Sequence, residues 1–336
     1  MDAKISAFRE SFKRLLAEVK GEKIAVAGHI RPDGDCVSSQ VAAAWLFRLA
    51  GAEKVVCVNS HEVPYLYRPF ICGEAFENAD AFDVSAYKIV TVDCADYARA
   101  GESLKQRKPE VLACIDHHVS NSPYAEINIV DPSSCATAAL LAELMTDSGI
   151  EIPPEIASVL YVGEMADTRQ LTTSNTDFRA FNVAARLVGL GADPAKISVL
   201  LYQREKFGRM KLLARFLQSL TMHFSGRVCA GVLPPGVYAA TGSQKEDADG
   251  LVDYARNIDG VEIALLLEVL DDGGVKGSLR SKVPEMRVNE IAKAFGGGGH
   301  LAAAGFSVKT PLDEFYPRLL DVVESRLKAF DAEFSK

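Results

Sequence analysis

The sequence predicts an α/β protein of two domains. A first domain built on a parallel sheet, with a helical segment behind it, is followed by a linker helix and a smaller α/β domain. Three observations lead there. Short, continuous apolar runs alternate with helical patterns through the first part of the chain, as in a parallel sheet buried on both faces. From about residue 134 the apolar spacing turns mostly helical, and past about 226 strands return, separated by Pro- and Gly-rich turns. The length, 336 residues, suits two domains. The predicted boundaries are 1–190 for the first domain, 191–225 for the linker and 226–336 for the second.

In chain order, residues 1–20 (MDAKISAFRESFKRLLAEVK) read as an amphipathic helix carrying both signs of charge, without the apolar core and cleavage site of a secretory signal. A strand at 23–28 (KIAVAG) leads into a turn broken by Pro32 and Gly34 and then a helix from about 36 to 50, with Val37, Val41, Ala44, Trp45 and Leu49 at helical spacing. Strands follow at 54–58, 88–93 and 111–116, with an irregular stretch over 59–87. Helices are expected over 134–148, 154–166, 176–190, 193–203 and 205–222, the last linking the domains through Met210, Leu213, Leu217 and Leu220. In the second domain, Pro234-Pro235-Gly236 reads as the turn of a hairpin. A helix near 245–256 follows, then strands 261–270 and 275–281 joined by Asp271-Asp272-Gly273-Gly274. A short helix at 288–294 runs into Gly296 to Gly299, then come a strand near 305–309 and a final helix over 311–330.

Composition narrows the function classes. With 48% hydrophobic and 24% charged residues the chain reads as soluble and globular, and no apolar run is long enough for a bilayer. The net charge of −8 argues against tight, non-specific binding to long nucleic acid, but not against a short phosphorylated ligand held by local cations and metal ions. The seven cysteines are scattered and form no CxxC pair, so neither a zinc site nor a disulfide framework is indicated. They read as small core residues of a protein in reducing cytosol.

Four stretches carry candidate chemistry. In HIRPDGDCVSSQ, His29, Asp33 and Asp35 sit on a strand-to-helix turn, where open α/β sheets bind ligands. A plainer reading makes Asp33-Gly34 a turn and Asp35 a helix N-cap. In TVDCAD, Asp93 ends a buried strand, where a carboxylate must be paired, coordinated or neutralised. In IDHHVSN, Asp116, His117 and His118 follow another buried strand. In GEMADTRQLTTSNT, Asp167 lies near the end of an apolar helical segment. Carboxylates and imidazoles gathered at element ends suggest two divalent cations, which in phosphoryl transfer clamp both the attacking and the leaving oxygen. His61 and His223 fall outside these stretches and read as surface or structural residues.

These ordered stretches resemble the motifs of the DHH phosphoesterase superfamily, whose name matches Asp116-His117-His118. The ending, GSLRS (277–281) and FGGGGHLAAAG (295–305), is similar to the associated C-terminal domain of the nanoRNase and pAp-phosphatase branch, which hydrolyses very short oligonucleotides and 3′-phosphoadenosine 5′-phosphate (pAp). The resemblance covers nearly the whole chain. It implies that His29 and Asp33 hold one metal, that Asp35, His117 and Asp167 hold the other, and that Asp93 bridges them. His118 would serve catalysis by facing the phosphate, and Asp116 by orienting an adjacent histidine. Arg280, Ser281 and His300 would grip the substrate phosphate, and a homodimer through the first domain is implied at family level. Mn²⁺ is the implied metal, a choice that mixed imidazole and carboxylate ligands suit.

The glycine stretch has a physical reading as well. Gly297, Gly298 and Gly299 would let backbone N–H groups approach an anion as a nest, with the N-terminus of a following short helix pointing the same way. Arg280, Lys282, Arg287 and Lys293 would add positive charge. Three positions depart from the family pattern: the CVSSQ run after Asp35, Glu164 where an apolar residue is usual, and Arg169 where glycine is common. Arg169 reads either as a pocket residue or as a surface helix residue.

The expected reaction is hydrolysis of a phosphodiester or terminal phosphomonoester in a cleft between domains, on short oligonucleotides, linear dinucleotides or pAp, with no membrane partner. A RecJ-like exonuclease would carry further domains, for which this chain has no room. A family II pyrophosphatase would carry an SRKKQ-type motif, which is missing. A non-catalytic nucleotide-binding module would have lost metal ligands, and all are present.

Overall fold

The structure, a computed structural model, describes residues 2–334, and side chains from residue 8 onward. It divides into two compact units, Met1–Arg204 and Glu205–Lys336.

The first unit runs α1 (Asp2–Glu18), β1 (Lys23–Ala27), α2 (Gly34–Leu49), β2 (Lys54–Asn59), β3 (Phe76–Asn78), β4 (Lys88–Val92), α3 (Glu102–Arg107), β5 (Ala113–Asp116), β6 (Ile127–Val130), α4 (Thr137–Asp147), α5 (Pro154–Asp167), α6 (Phe178–Gly189) and α7 (Pro194–Tyr202). Its six strands lie in the order β3-β2-β1-β4-β5-β6 and every pair is parallel. Chain order reverses between β1 and β4, and at such a switch the loops leaving the strand ends diverge to opposite faces and open a crevice. One face of the sheet is covered by Phe12 and Leu15 of α1, Phe47 of α2, Leu140 of α4 and Leu160 of α5. Val84, Tyr87, Tyr97 and Leu104 cover the other. Part of α1 carries side chains outside the described residues; from Phe8 on, the helix lays its apolar side on this core.

α2 is buried along most of its length, which its small residues Ser38, Ser39 and Ala42 to Ala44 permit. The carboxylate of Asp33 accepts from the N–H of Cys36 and caps the helix, which therefore starts at Gly34, ahead of the expected position. Asp35 lies inside the first turn and is not the cap. α5 crosses α2 closely at Gly163: a Cβ there would stand 2.5 Å from that of Ala138 and 3.0 Å from that of Ser38.

The second unit runs α8 (Phe207–Gln218), β7 (Thr221–His223), β8 (Val228–Leu233), α9 (Val237–Thr241), α10 (Leu251–Arg256), β9 (Ile263–Val269), β10 (Val275–Ser281), α11 (Val288–Lys293), β11 (Gly298–His300), β12 (Ala303–Val308) and α12 (Leu312–Phe334). The sheet order is β11-β12-β10-β9-β8-β7, with only β8 and β9 parallel. Leu212 and Phe216 of α8, with Leu251 and Val252 of α10, pack on one face. Met286, Ile291, Phe315 and Leu319 pack on the other.

Several elements differ from the expectations. β3 and β6, edge strands of three and four residues, fall in stretches expected to be irregular or unassigned. The helix expected to reach residue 222 stops at Gln218, because Thr221–His223 pairs antiparallel with β8. Pro234-Pro235-Gly236 does not turn a hairpin: Gly236, at φ +71°, leads from β8 into α9. The glycine run forms β11 and returns as β12, so no short helix follows it.

The helix crossing at Gly163 gives a direct test of this packing. Gly163→Ala should destabilise the chain by about 1–3 kcal/mol, the usual cost of an extra carbon in a close-packed contact. Urea unfolding should show a lower midpoint at an unchanged slope.

Candidate metal centre

The crevice at the carboxyl ends of β1, β4 and β5 gathers the acidic and imidazole groups. His29 follows β1, Asp93 follows β4, Asp116 ends β5, and Asp167 ends α5. Asp93 takes a left-handed backbone, φ +58°, as does Arg31 in the loop after β1, φ +55°. Asp93 presents its two oxygens in different directions. Its Oδ2 lies 3.4 Å from His29 Nε2, and its Oδ1 lies 3.7 Å from His117 Nε2 and accepts from the Thr137 hydroxyl at 3.1 Å. His117 Nε2 is also 3.3 Å from Asp167 Oδ2 and 3.9 Å from Asp35 Oδ2. His29 Nε2 is 3.6 Å from Asp33 Oδ1. Among the described residues, Asp35, His117 and Asp167 form one set whose ligand atoms all lie within 4.8 Å of one another, and Asp93, His117 and His118 form another.

The histidines are oriented from behind. His29 Nδ1 donates to the carbonyl of Ile30 at 2.9 Å and His117 Nδ1 to that of Ser134 at 3.2 Å. A carbonyl only accepts, so Nδ1 carries a proton in each ring, and Nε2 is the nitrogen that a neutral ring would offer to a cation among the carboxylates. His118 differs. Its Nδ1 sits 2.8 Å from Asp116 Oδ1, while Asp116 Oδ2 accepts from Asn121 at 2.7 Å. The hydrogen bond to Asp116 raises the pKa of His118 against the opposing effect of burial. His118 is thus a paired imidazole beside the cluster, and Asp116 is occupied by its partners.

Electrostatics show what the cluster lacks. Asp35 is buried, and burial first, then Asp93, Asp167 and Asp33, push its pKa well above the ordinary value. Backbone N–H groups of Thr137 and Ala138 donate to its two oxygens at 2.7 and 2.8 Å, so Asp35 also satisfies the N-terminus of α4. Burial, together with Asp93 and Asp33 and against relief from His117, pushes Asp167 up to about 6. Burial works against a charged His29, yet hydrogen bonds with Asp33 and Asp93 prevail and carry its pKa far above 6.5. Carboxylates this close cannot all stay ionised without cations among them. A donor set of carboxylates and imidazoles fits divalent cations.

Some participants carry no signal in the sequence. Thr137 bonds to both Asp35 and Asp93 from a helix start more than a hundred residues beyond Asp35. Asn121 lies within a motif stretch, but its bond to Asp116 depends on the turn between them. Cys36 lies with His29 and Asp93 among the candidate metal groups, but burial pushes its thiol up to about 11, so it stays protonated. Glu164, the acidic departure, is fully buried outside these groups. Burial pushes its pKa up to about 8, its Oε1 lies 3.7 Å from the Cys135 thiol, and its Oε2 has no hydrogen-bond partner. Arg169 is exposed, at φ +45°.

In the second unit, the sheet register sorts the expected phosphate residues. Arg280 lies opposite Ala303, and Ala303 opposite His300. Residues directly opposite project to one face, so Arg280 and His300 flank the Ala303 methyl. The neighbouring row on that face is Ser278, Gly305 and Gly298, making a shallow platform floored by small residues. A Cβ on Gly298 would meet nothing within 4 Å, whereas one on Gly297 would stand 2.2 Å from the Gly305 carbonyl oxygen and one on Gly299 2.6 Å from that of Ala303. Close strand packing thus requires glycine at Gly297 and Gly299. Ser281 alternates to the other face, is buried, and donates its hydroxyl to the Val283 carbonyl, so the structure does not bring that hydroxyl to the platform. Arg287 is paired with Glu333, and Lys282 donates to the Ile258 carbonyl.

Comparison with known proteins finds matches to both units. The model of the DHH family, N-terminal domain, matches residues 23–164, and that of the DHHA1 domain matches residues 233–329. A Thermus thermophilus protein named bifunctional oligoribonuclease and PAP phosphatase NrnA is 30% identical over 94% of this chain and 94% of its own length. A Bacillus subtilis protein of the same name is 26% identical over 85% of this chain and 90% of its own. In fold, the crystal structure of an exopolyphosphatase-related protein from Bacteroides fragilis superimposes with a TM-score of 0.82 at 22% identity, covering 98% of each chain.

Glu164 makes stability depend on pH. Its folded pKa of about 8 lies above the ordinary 4.5, so between those values the folded chain holds a proton that the unfolded chain has lost. The cost is absent below 4.5 and grows as pH rises through that window. Glu164→Gln should therefore show a shallower fall in stability across this range than the parent chain, measured by urea unfolding of chelator-treated protein.

Proposed function

The chain belongs to the DHH family, and we propose that it is a Mn²⁺-dependent phosphoesterase that hydrolyses very short oligonucleotides to mononucleotides and pAp to AMP. The observation that carries the reading is Asp93, one oxygen toward His29 and the other toward His117, as a carboxylate shared by two adjacent cations must be. In this reading His29 and Asp33 hold one ion, Asp35, His117 and Asp167 the other, and Asp93 both. When bound, the two ions supply a water of lowered pKa as the nucleophile and neutralise charge on the phosphoryl oxygens.

The remaining roles fall to the chain's own groups. His118, its pKa raised by the hydrogen bond to Asp116, donates a hydrogen bond or a proton to the phosphate. Asp116 orients His118 and is not itself a metal ligand. Arg280 and His300 bind a phosphate over the Ala303 methyl, with the guanidinium making two parallel bonds. The open face at Gly298 lets the ligand approach the backbone. A bounded grip of this kind selects short substrates, and the net charge of −8 disfavours a long polyanion running on past it. The names of the Thermus and Bacillus relatives support the same pair of activities. Among the described residues no helix is long and apolar enough to cross a membrane, and the seven cysteines are free thiols, which supports a place in reducing cytosol.

Product analysis with Mn²⁺ tests the proposal, using 5′-labelled RNAs (a dinucleotide, a pentanucleotide and a long strand) beside pAp. Rapid conversion of the short RNAs and pAp, with the long strand spared, is the expected result. Preferential degradation of the long strand would point instead to a RecJ-like exonuclease. Chelation or Asp93→Ala should abolish turnover of every substrate, and a parental rate from that variant would sink the two-metal assignment. Arg280→Ala should raise KM about tenfold and largely spare kcat, the mark of a contact made equally in ground and transition states.

A further inference from the structure

Beside the metal centre, and wholly within the first unit, lies a cavity of about 310 Å³ bounded by Leu66, Tyr67, Ala166, Arg169, Leu201 and Tyr202. Its floor abuts the ligand loop. Ala166 directly precedes Asp167, and both Ala166 and Tyr67 press on Gly34, the residue between Asp33 and Asp35. A Cβ on Gly34 would stand 2.4 Å from Ala166 Cβ and 2.8 Å from Tyr67 Cε1. Burial, and then the nearness of Asp33 and Tyr202, raise the pKa of Tyr67 and keep it a neutral phenol.

One wall is built under strain. Arg169, Gln170 and Leu171 take φ values of +45°, +62° and +61°, a run of left-handed residues without a glycine. Such backbone persists only where the surroundings over-determine it. Here Thr168 Oγ1 accepts from Leu171 N–H at 3.0 Å, and the Met165 carbonyl accepts from Gln170 N–H at 2.9 Å. The turn sets Arg169 and Gln170 at the cavity, and among the described residues nothing pairs with the Arg169 guanidinium.

The lining defines a ligand. Two phenol rings, two leucines and a methyl group offer flat apolar contact, while a guanidinium and a carboxamide offer polar groups at the edge. A single cation among apolar walls is a poor phosphate site, but a planar heterocycle with polar edges suits it. The volume is at the small end of ligand sites, roughly 300–1,000 Å³, which fits one ring system and not two. We propose that the cavity between Tyr67, Arg169 and Tyr202 holds a nucleobase of the substrate, stacked on the tyrosines and hydrogen-bonded by Arg169, so that the first unit grips a base beside the reacting phosphate. The inference rests on the phosphoesterase reading for the identity of that base.

The test is equilibrium titration of the Mn²⁺-loaded full chain with AMP and with ribose 5-phosphate, which carries the same phosphate and no base. The parent chain should bind AMP the more tightly. Tyr202→Ala should weaken AMP about tenfold, the effect of losing one stacked base, and leave ribose 5-phosphate unchanged. Tyr202→Phe should keep the parental preference. Arg169→Ala, a change at an exposed side chain, should also weaken AMP alone. Equal weakening of both ligands, an unchanged AMP affinity in Tyr202→Ala, or a parent chain blind to the base would each overturn the assignment. A chain that prefers AMP in this way yet hydrolyses neither dinucleotides nor pAp would overturn the phosphoesterase reading and leave the base site standing.

Discussion

The first unit is organised around a shortage of positive charge. Asp35, Asp93 and Asp167 converge from a helix start, a strand end and a helix end on one imidazole, His117. Backbone donors satisfy part of Asp35, and Thr137 part of Asp93. Such bonds favour a carboxylate but carry no full charge to set against three of them. The elements that bring the groups together are held by ordinary packing: α2 lies deep in the core and α5 crosses it at a glycine. Apolar burial thus pays for an arrangement that electrostatics alone would push apart, and cations relieve it.

Asp35 shows how closely the site and the fold are joined. Its carboxylate takes the N–H groups that open α4, a helix whose cap residue, Ala136, has no side chain able to do so. A metal ligand and a helix cap are usually rival explanations of an aspartate. Here each oxygen of one carboxylate accepts one backbone bond, and Oδ2 keeps a lone pair that a cation could use. The second unit uses a different device. Its platform is made of strand register and small residues, with Arg280 and His300 set on either side of one methyl group.

Much of this was legible in the sequence, for physical reasons that also mark where reading failed. β1, β4 and β5 are buried on both faces, so each is a continuous apolar run, and the histidine after β1 and the aspartates at the ends of β4 and β5 are conspicuous. β3, β6, β7 and β11 have at most four residues and owe their existence to neighbours that only the tertiary fold supplies. Pro234-Pro235-Gly236 carries turn chemistry, but turn chemistry does not say whether a strand or a helix comes next; α9 does. The glycine run is a similar case. Its composition suits a nest, while the pairing of Gly298 with Gly305 makes it a strand. Ser281 is next to Arg280 in sequence, but adjacent residues of a strand face opposite sides, and its hydroxyl turns to the Val283 carbonyl. Thr137 and Asn121 could not be found, since each acts through a contact that exists only after folding.

The departures at Glu164 and Arg169 lie on the same short stretch as Asp167, but they fare differently. Glu164 faces into the core, where burial keeps it protonated near neutral pH, so it adds no charge to the cluster. Arg169 faces out, on a backbone that a glycine would adopt at lower cost. A cation accepted there despite that cost, beside two tyrosines and one residue beyond Thr168, places positive charge at the rim of an otherwise anionic centre. Carboxylates in the first unit and Arg280 in the second can draw in metal and phosphate, but neither discriminates a nucleotide from a bare phosphate ester. That discrimination needs a surface for the base, and in the first unit the Tyr67–Tyr202 cavity is a surface of that kind within reach of the ligand loop.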